Sequence, residues 1–179
     1  MQNTSQGKDT SMLRDKSLIP LSRQHHGVLA LCVKIERSLS GKPVQGPPPI
    51  NIAGSTLEAL QREAKDLFQE EGLKHFQAEE QVIFPVARSL PGLAPLVDEL
   101  LLEHEQIRSN PVLIAGSATD AGLLDFASRL SLHVRKEEQH LFQSMQEKLS
   151  REALDGLGRA LEAYFEQAGL HGPACNLRG

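Results

Sequence analysis

The chain has 179 residues, with 19 Lys and Arg against 23 Asp and Glu and a formal net charge of −4, which fits one ordinary globular domain. The acidic balance gives no reason to expect a nucleic-acid partner, and no apolar run approaches the length of a membrane span. Because the first residues are polar and the two cysteines cannot build a disulfide framework, we expect a cytoplasmic protein.

A first helix is predicted from residue 18, after a polar segment, residues 1–17, that we expect to be a disordered arm. Apolar residues then recur at helical spacing, with one gap that His25 fills; they are Leu18, Leu21, Val28, Cys32, Ile35 and Leu39. Gly41 ends this helix, and the segment 41–54 contains three consecutive prolines that keep it extended as a loop.

A second helix is predicted over residues 56–88. Ser55 and Glu58 form the S-x-x-E pattern of a capping box at its start. Gly72 and Pro85 lie inside this helix, so a bend or an early end is compatible with the sequence.

The second half of the chain repeats this organisation. After the break at Pro91-Gly92, a third helix carries Leu93 to Ile107 and ends at Asn110-Pro111. Ser117 and Asp120 predict the start of a fourth helix over about 118–148, and a fifth helix follows with Gly169 as its end. No segment alternates with the period of a strand.

The fold class predicted by these elements is all-α. We expect an up-down four-helix bundle, built as a duplicated helical hairpin, over residues 18–148. An accessory helix over 149–169 and a flexible tail over 170–179 complete the prediction.

A ten-residue phrase occurs twice, once in each half of the chain. Residues 75–84 read HFQAEEQVIF and residues 133–142 read HVRKEEQHLF. The spacing of four residues places His75 with Glu79, and His133 with Glu137, about 40° apart on one face of a helix. Each pair therefore offers an imidazole and a carboxylate, one turn apart, toward the interior.

The second glutamate of each phrase has a different direction. Glu80 and Glu138 lie about 140° from the histidine of their own phrase, which predicts that they point to solvent or to the edge of a neighbouring helix. His140 falls on the inner face by periodicity, as does its counterpart Val82, so we interpret it as a packing residue or an outer-shell group.

The other two helices contribute one histidine each. His104 lies on the same face as Leu100 and Ile107, and an alignment of the two halves places His25 opposite it. His26 shares its face with a poorer apolar stripe, so periodicity favours His25 over His26.

Together the four helices predict a site with two metal ions and six protein ligands. Imidazole and carboxylate suit iron, manganese or zinc, and the absence of thiolates argues against a structural zinc site. Two glutamates can each bridge a pair of ions, which leaves two imidazoles for each ion and open positions for water, oxygen or a small anion. The predicted ligands are His25, His75, Glu79, His104, His133 and Glu137.

At these residues the sequence resembles the hemerythrin-like family, also called the HHE cation-binding domain. The resemblance covers residues 18–148 and rests on the segments PLSRQHHGVLALC, HFQAEEQVIFP, EHEQIR and HVRKEEQHLF. It implies a four-helix bundle with two iron ions, bridged by carboxylates and by an oxo, hydroxo or water oxygen. It also implies a function in binding or sensing oxygen, nitric oxide or peroxide, or in iron handling.

Three departures from the family pattern narrow this expectation. Gln24 stands before the first histidine, where the family usually has Asp or Glu, and Gln143 stands where it usually has Pro. Arg108 lies where oxygen-carrying members have a further histidine. The last difference speaks against reversible oxygen carriage and favours redox sensing or iron handling.

Two other functions fit the sequence. The first is a metal-dependent oxidase or hydrolase, although no separate acid–base or substrate motif is present, which favours a binding protein over an enzyme. The second is a helical interaction module without metal, with the proline-rich loop or the fifth helix as its docking surface. The sequence leaves the oligomeric state open.

Overall fold

The structure, a computed structural model, describes residues 13–40 and 56–169. Within these ranges every regular element is helical. The helices are α1 (Ile19–Ser40), α2 (residues 57–88), α3 (Ala94–Arg108), α4 (Pro111–Ile114), α5 (residues 120–148) and α6 (Arg151–Gln167). The predicted all-α bundle is confirmed, with α1, α2, α3 and α5 as its four long helices.

Parts of the chain that carried separate predictions lie outside the described residues. These are the first twelve residues of the predicted arm, the proline-rich loop and the predicted tail. Each helix in the two described ranges is either too short or too polar to span a bilayer.

Hydroxyl side chains begin three of the helices. Thr56 starts α2, Thr119 starts α5 and Ser150 starts α6, and each side-chain oxygen accepts a hydrogen bond from the backbone N–H three residues later. Such caps satisfy donors that have no partner inside the helix. The sequence prediction placed two of these caps too early: Ser55 lies outside the described residues, and the cap of α5 is Thr119 rather than Ser117.

The connections are short and rely on residues with special backbone properties. Gly92 adopts a φ of 82° between α2 and α3, a conformation that residues with a Cβ rarely take. After α3, Asn110 accepts a hydrogen bond from the N–H of Val112 and starts α4 at Pro111. This single turn of helix lies between the predicted third and fourth helices, where the sequence predicted no helix.

Residues 13–17 differ from the prediction of a disordered arm. The guanidinium of Arg14 contacts the Glu138 carboxylate on α5 at 2.5 Å, and Asp15 accepts a hydrogen bond from Arg151 on α6 at 2.5 Å. Ser17 is buried. The polar residues of this segment therefore have partners on two helices, which hydrophobic periodicity alone does not reveal.

The long helices α2 and α5 contain π-helical turns, in which one extra residue widens the helix. They span Phe68–Gly72 and Glu79–Ile83 in α2, and Glu137–Leu141 in α5. Pro85 lies two residues after the second of these turns, and α2 continues through it to Arg88. The possible end of the helix at Gly72 or Pro85 therefore does not occur.

Two apolar clusters form the core. The first, which we call the α6 cluster, contains Leu18, Leu21, Ala78, Ile83, Phe84, Ala87, Leu93, Val97, Leu100, Leu141, Phe142, Met145, Leu157, Leu161 and Phe165. The second, the α4 cluster, contains Leu31, Cys32, Ile35, Leu60, Ala64, Phe68, Phe76, Ile107, Val112, Leu123, Phe126, Ala127 and Leu130. Along α1, α3 and α5 a buried histidine separates the residues of one cluster from those of the other, and in α2 the change of cluster falls between His75 and Glu79.

Candidate metal centre

The polar layer between the two clusters consists of the six side chains that the sequence predicted as ligands. Each of the four long helices contributes to it, and all six side chains are buried. His75 is the most exposed, at 5%, whereas both glutamates are at 0%. His25 lies in the layer and His26 is exposed, in agreement with the periodicity of α1.

The layer divides into two groups, each able to surround one cation. Position A consists of His25, His75 and one oxygen from each of Glu79 and Glu137. Position B consists of His104, His133 and one oxygen from each of the same glutamates. Within each group the four candidate ligand atoms lie within 4.8 Å of one another.

The carboxylates of Glu79 and Glu137 reach both positions. Oε1 of Glu79 lies 3.3 Å from Nε2 of His75, and its Oε2 lies 3.4 Å from Nε2 of His104. Glu137 shows the complementary arrangement, because its Oε2 lies 3.2 Å from Nε2 of His25 and its Oε1 lies 3.2 Å from Nε2 of His133. Each carboxylate thus directs one oxygen to A and the other to B.

The polar atoms in this layer have the properties of ligands. Among the described residues, none donates a well-formed hydrogen bond to the four oxygens of Glu79 and Glu137, although both side chains are fully buried. A buried carboxylate costs several kcal/mol unless positive charge lies beside it. Two cations between these oxygens and the imidazoles would remove that cost.

The imidazole nitrogens lead to the same conclusion. Nε2 of His25 lies 2.9 Å from Nε2 of His75, and Nε2 of His104 lies 3.2 Å from Nε2 of His133. These separations are close to those between neighbouring ligands of a cation bound at roughly 2.0–2.2 Å. The residues present therefore fit a pair of cations.

An outer layer of polar side chains holds the Nδ1 atom of each imidazole. Three partners are carboxylates: Glu138 contacts His25 at 2.7 Å, Glu80 contacts His104 at 2.8 Å, and Glu103 contacts His133 at 2.9 Å. The fourth partner is an amide, because Oε1 of Gln24 lies 2.6 Å from Nδ1 of His75. An Nδ1–H donated to these oxygens leaves the lone pair on Nε2, directed toward the layer.

This outer layer was not found by the sequence prediction. Glu80 and Glu138 reach a histidine on a neighbouring helix, which is one of the two directions predicted for them, but no supporting role was predicted for them or for Glu103. The signal was available in the duplication. The two halves of the chain carry the outer partners at equivalent positions. Residues 80 and 138 each follow a buried glutamate, and residues 24 and 103 each precede the ligand histidine of α1 or α3.

Each outer carboxylate in turn contacts a positively charged side chain. Arg14 contacts Glu138 at 2.5 Å and Arg108 contacts Glu80 at 2.7 Å, while Lys136 contacts Glu103. These Arg and Lys side chains restrain the carboxylates, and the carboxylates orient the imidazoles. Arg108 therefore supports His104 through Glu80.

Without cations the layer holds protons. Burial lowers the pKa of the His25 and His133 imidazoles, but the surrounding carboxylates more than offset this and raise the pKa of His25 to about 9 and that of His133 to about 10. Burial and mutual repulsion raise the pKa of Glu79, yet the histidines bring it below its usual value. His25 and His133 therefore carry protons at neutral pH in the metal-free layer, and cations that bind beside them must displace those protons.

The π-helical turns change which residues follow the ligands on the inner face. Both Glu79 and Glu137 begin such a turn, so the extra residue rotates the rest of the helix by about one residue, or roughly 100°. His140, predicted on the inner face, is exposed, and Val82 is only half-buried. The buried residues are instead Ile83 with Phe84 in α2 and Leu141 with Phe142 in α5.

A small apolar cavity adjoins the layer on the side of the α4 cluster. Its volume is ≈ 30 Å³, which is enough to hold at least one water-sized molecule. Both histidines of position A and His133 of position B line it, together with apolar residues that include Phe68 and Phe126. On position B, the ring of Phe76 stacks on His104 with their centroids 3.7 Å apart.

Comparison with known proteins gives one finding. The model of the Hemerythrin HHE cation binding domain matches residues 20–145, about 70% of the chain. Searches of curated proteins and of solved structures found no match. The match spans all four long helices and both copies of the repeated phrase, and the layer it encloses can hold cations. The chain therefore belongs to the hemerythrin HHE cation-binding domain family.

Proposed function

We propose that this protein binds two iron ions, one at position A and one at position B. His25 and His75 would hold the first ion, His104 and His133 the second, and Glu79 and Glu137 would bridge the two. The observation that supports this proposal best is the pair of fully buried carboxylates, each of which directs one oxygen to each position. A ligand set of imidazole and carboxylate suits iron, and also manganese or zinc.

We further propose that the bound pair of ions interacts with a small ligand such as oxygen, nitric oxide or peroxide. Iron in such a site supplies open coordination positions and redox chemistry. The chain supplies six of the ligands, which leaves room at each ion for a water, hydroxo or oxo bridge and for one exogenous ligand. The apolar cavity beside position A has room for a diatomic molecule next to the histidines of that position.

The lining of the cavity favours binding over catalysis on an organic substrate. Of the described residues that line it, those that are polar and outside the ligand set are Gln24 and Glu71, and Glu71 is exposed. General acid–base catalysis requires a titratable group within hydrogen-bond reach of the reacting atoms. Sensing, storage or removal of a small molecule needs no such group. The cytoplasmic location of the protein is a separate prediction, made from the sequence.

The direct test is reconstitution of the metal-free protein with ferrous iron under anaerobic conditions. We expect two iron ions per chain, followed by absorption bands of ferric oxo species on exposure to oxygen or of an iron nitrosyl with nitric oxide. The variant His75→Ala with His133→Ala should lose both, because each position loses an imidazole. The matched controls are His26→Ala and His140→Ala, which change exposed histidines near the site.

Thermal unfolding provides an independent measurement. Iron that binds only the folded chain stabilises it, by about 2.7 kcal/mol at a free concentration of one hundred times Kd. We expect this stabilisation in the native protein and in both control variants, and its absence in the double variant. Fewer than two bound metal ions per native chain, with iron, manganese and zinc each supplied, would overturn the proposal.

A further inference from the structure

The two cation positions have different outer partners, although the chain is a duplication. At position B, both histidines have a carboxylate at Nδ1, since Glu80 contacts His104 and Glu103 contacts His133. At position A, Glu138 supports His25, whereas the partner of His75 is the neutral amide of Gln24. Gln24 and Glu103 occupy equivalent places in the two halves, which makes this the point where the symmetry of the outer layer fails.

A carboxylate and an amide constrain an imidazole differently. An ionised carboxylate only accepts hydrogen bonds, so it requires a proton on Nδ1 and leaves the lone pair on Nε2, where a cation needs it. An amide offers both an oxygen and an NH₂ group, so after rotation about its last bond it can also donate to Nδ1. The proton of His75 can then move to Nε2, in the form that does not bind a cation. Of the four imidazoles, His75 alone has an outer partner that permits this form.

The surroundings of position A add a second difference. Gln24 and His75 both line the apolar cavity, and His75 is the most exposed of the four histidines. At position B, His104 is fully buried, with Phe76 stacked on its ring and Phe84 stacked with its centroid 5.3 Å away. The cavity thus reaches both histidines of A but only His133 at B, which gives water or a chelator more access to A.

We propose, on the basis of the two-cation function above, that position A is the weaker and more exchangeable site and that Gln24 sets this difference. The chain would then bind its first ion at B and its second at A. Gln24 is a positioning residue in this proposal, because it acts through His75 and does not touch the cation. Outer partners of metal-binding histidines commonly change affinity by about 10–100-fold, which is the size of effect we expect.

The test is a titration of the metal-free protein with cobalt(II), followed by its visible absorption and by competition with a chelator. Two binding steps alone do not decide the question, since two cations that share bridging carboxylates repel each other. The deciding variant is Gln24→Glu, for which we expect the weaker of the two steps to tighten by about 10–100-fold while the stronger step stays within about threefold. The ion that leaves first, which we expect to be the one at position A, should be released to the chelator more slowly in the same variant.

The matched variant is Glu103→Gln, which gives His133 the partner that His75 has in the native chain. We expect it to weaken the stronger step by a similar factor, and the double variant Gln24→Glu with Glu103→Gln to reverse the order in which the positions fill. Crystals grown with one equivalent of cobalt would show the ion at B in the native protein and at A in the double variant. Circular dichroism confirms that each variant is folded.

Two results would overturn this inference while leaving the two-cation function intact. One is an unchanged weaker step in Gln24→Glu; the other is a first ion at A in the native protein. Absence of two bound ions in every variant and in the native chain would instead contradict the proposed function itself.

Discussion

The two ends of the bundle close over the polar layer in different ways. At one end, α6 contributes Leu157, Leu161 and Phe165 to the α6 cluster, and residues 13–17 add ion pairs outside it. At the other end the single turn α4 contributes Val112, and the cavity lies between Phe68 and the histidines. The accessory helix therefore covers one side of the site, and the apolar cavity lies on the other.

The largest expected effect concerns the packing at the two ends. Leu161 is fully buried in the α6 cluster, so Leu161→Ala should lower the free energy of unfolding by about 2–5 kcal/mol. Leu67 is half-buried and lines the cavity, so Leu67→Ala should cost only about 1–2 kcal/mol. Urea unfolding of the metal-free protein measures both, and equal losses would contradict the comparison.

A smaller effect concerns the wall of the cavity. A Cβ at Gly72 would lie 2.7 Å from Cδ2 of Phe68, so Gly72→Ala should displace the Phe68 ring that lines the cavity. We expect slower binding of nitric oxide or azide to the iron-loaded variant with unchanged iron content, measured by stopped-flow absorption.

Gly27 provides the matched control for this substitution. It also lies inside a long helix, but nothing is within 4 Å of a Cβ built there. Gly27→Ala should therefore stabilise the protein by about 1 kcal/mol through helix propensity and leave the binding rate unchanged. Gly72→Ala should be less stable than Gly27→Ala by about 1–3 kcal/mol, because the ring must move. Identical behaviour of the two variants would show that Phe68 does not form the wall.

The smallest expected effect concerns the ion pairs at the α6 end. The hydrogen bonds from Arg151 hold the pKa of Asp15 well below its usual value. A carboxylate with a lowered pKa in the folded state stabilises the protein above the pKa of the unfolded chain, about 4, and loses this contribution as the pH falls toward its folded pKa. Asp15→Asn should therefore cost at most about 1 kcal/mol at pH 7 and progressively less as the pH falls below about 4.

The control for that substitution lies on the exposed face of α5. Asp125 forms an ion pair with Arg129 one turn later, and both side chains are more than half exposed. Asp125→Asn should change the melting temperature less than Asp15→Asn at pH 7. A larger change at Asp125 would mean that residues 13–17 do not contribute to closing the α6 end.

The sequence was sufficient for the parts of the structure that follow from constant helical periodicity. The four long helices and the inner face of α1 at His25 follow from the spacing of apolar residues. The convergence of His75 with Glu79, and of His133 with Glu137, follows from positions four residues apart. In these segments no π-helical turn lies between the residues, so regular α-helical geometry correctly predicts that their side chains point the same way.

The remainder depended on contacts between helices or on local changes of helical geometry. Glu103 accepts from His133 across 30 positions of sequence, and no pattern within α3 indicates that partner. His140 was placed on the wrong face because the turn at Glu137 contains one residue more than an α-helical turn. Arg14 and Asp15 looked like part of a polar arm because their partners lie on α5 and α6.

The wide turns at Glu79 and Glu137 have a consequence for anyone who edits this chain. Each turn divides its helix into two segments, one that carries the metal ligands and one that carries the buried apolar residues after them. The helical repeat of inward-facing positions is shifted by one residue between the two segments. Removal of a single residue there, for example the exposed Gln81 or Gln139, would let the helix close to regular geometry and turn everything beyond it by about a quarter of a revolution. A one-residue deletion at either glutamine would therefore disturb the hydrophobic core more than the loss of an exposed side chain suggests.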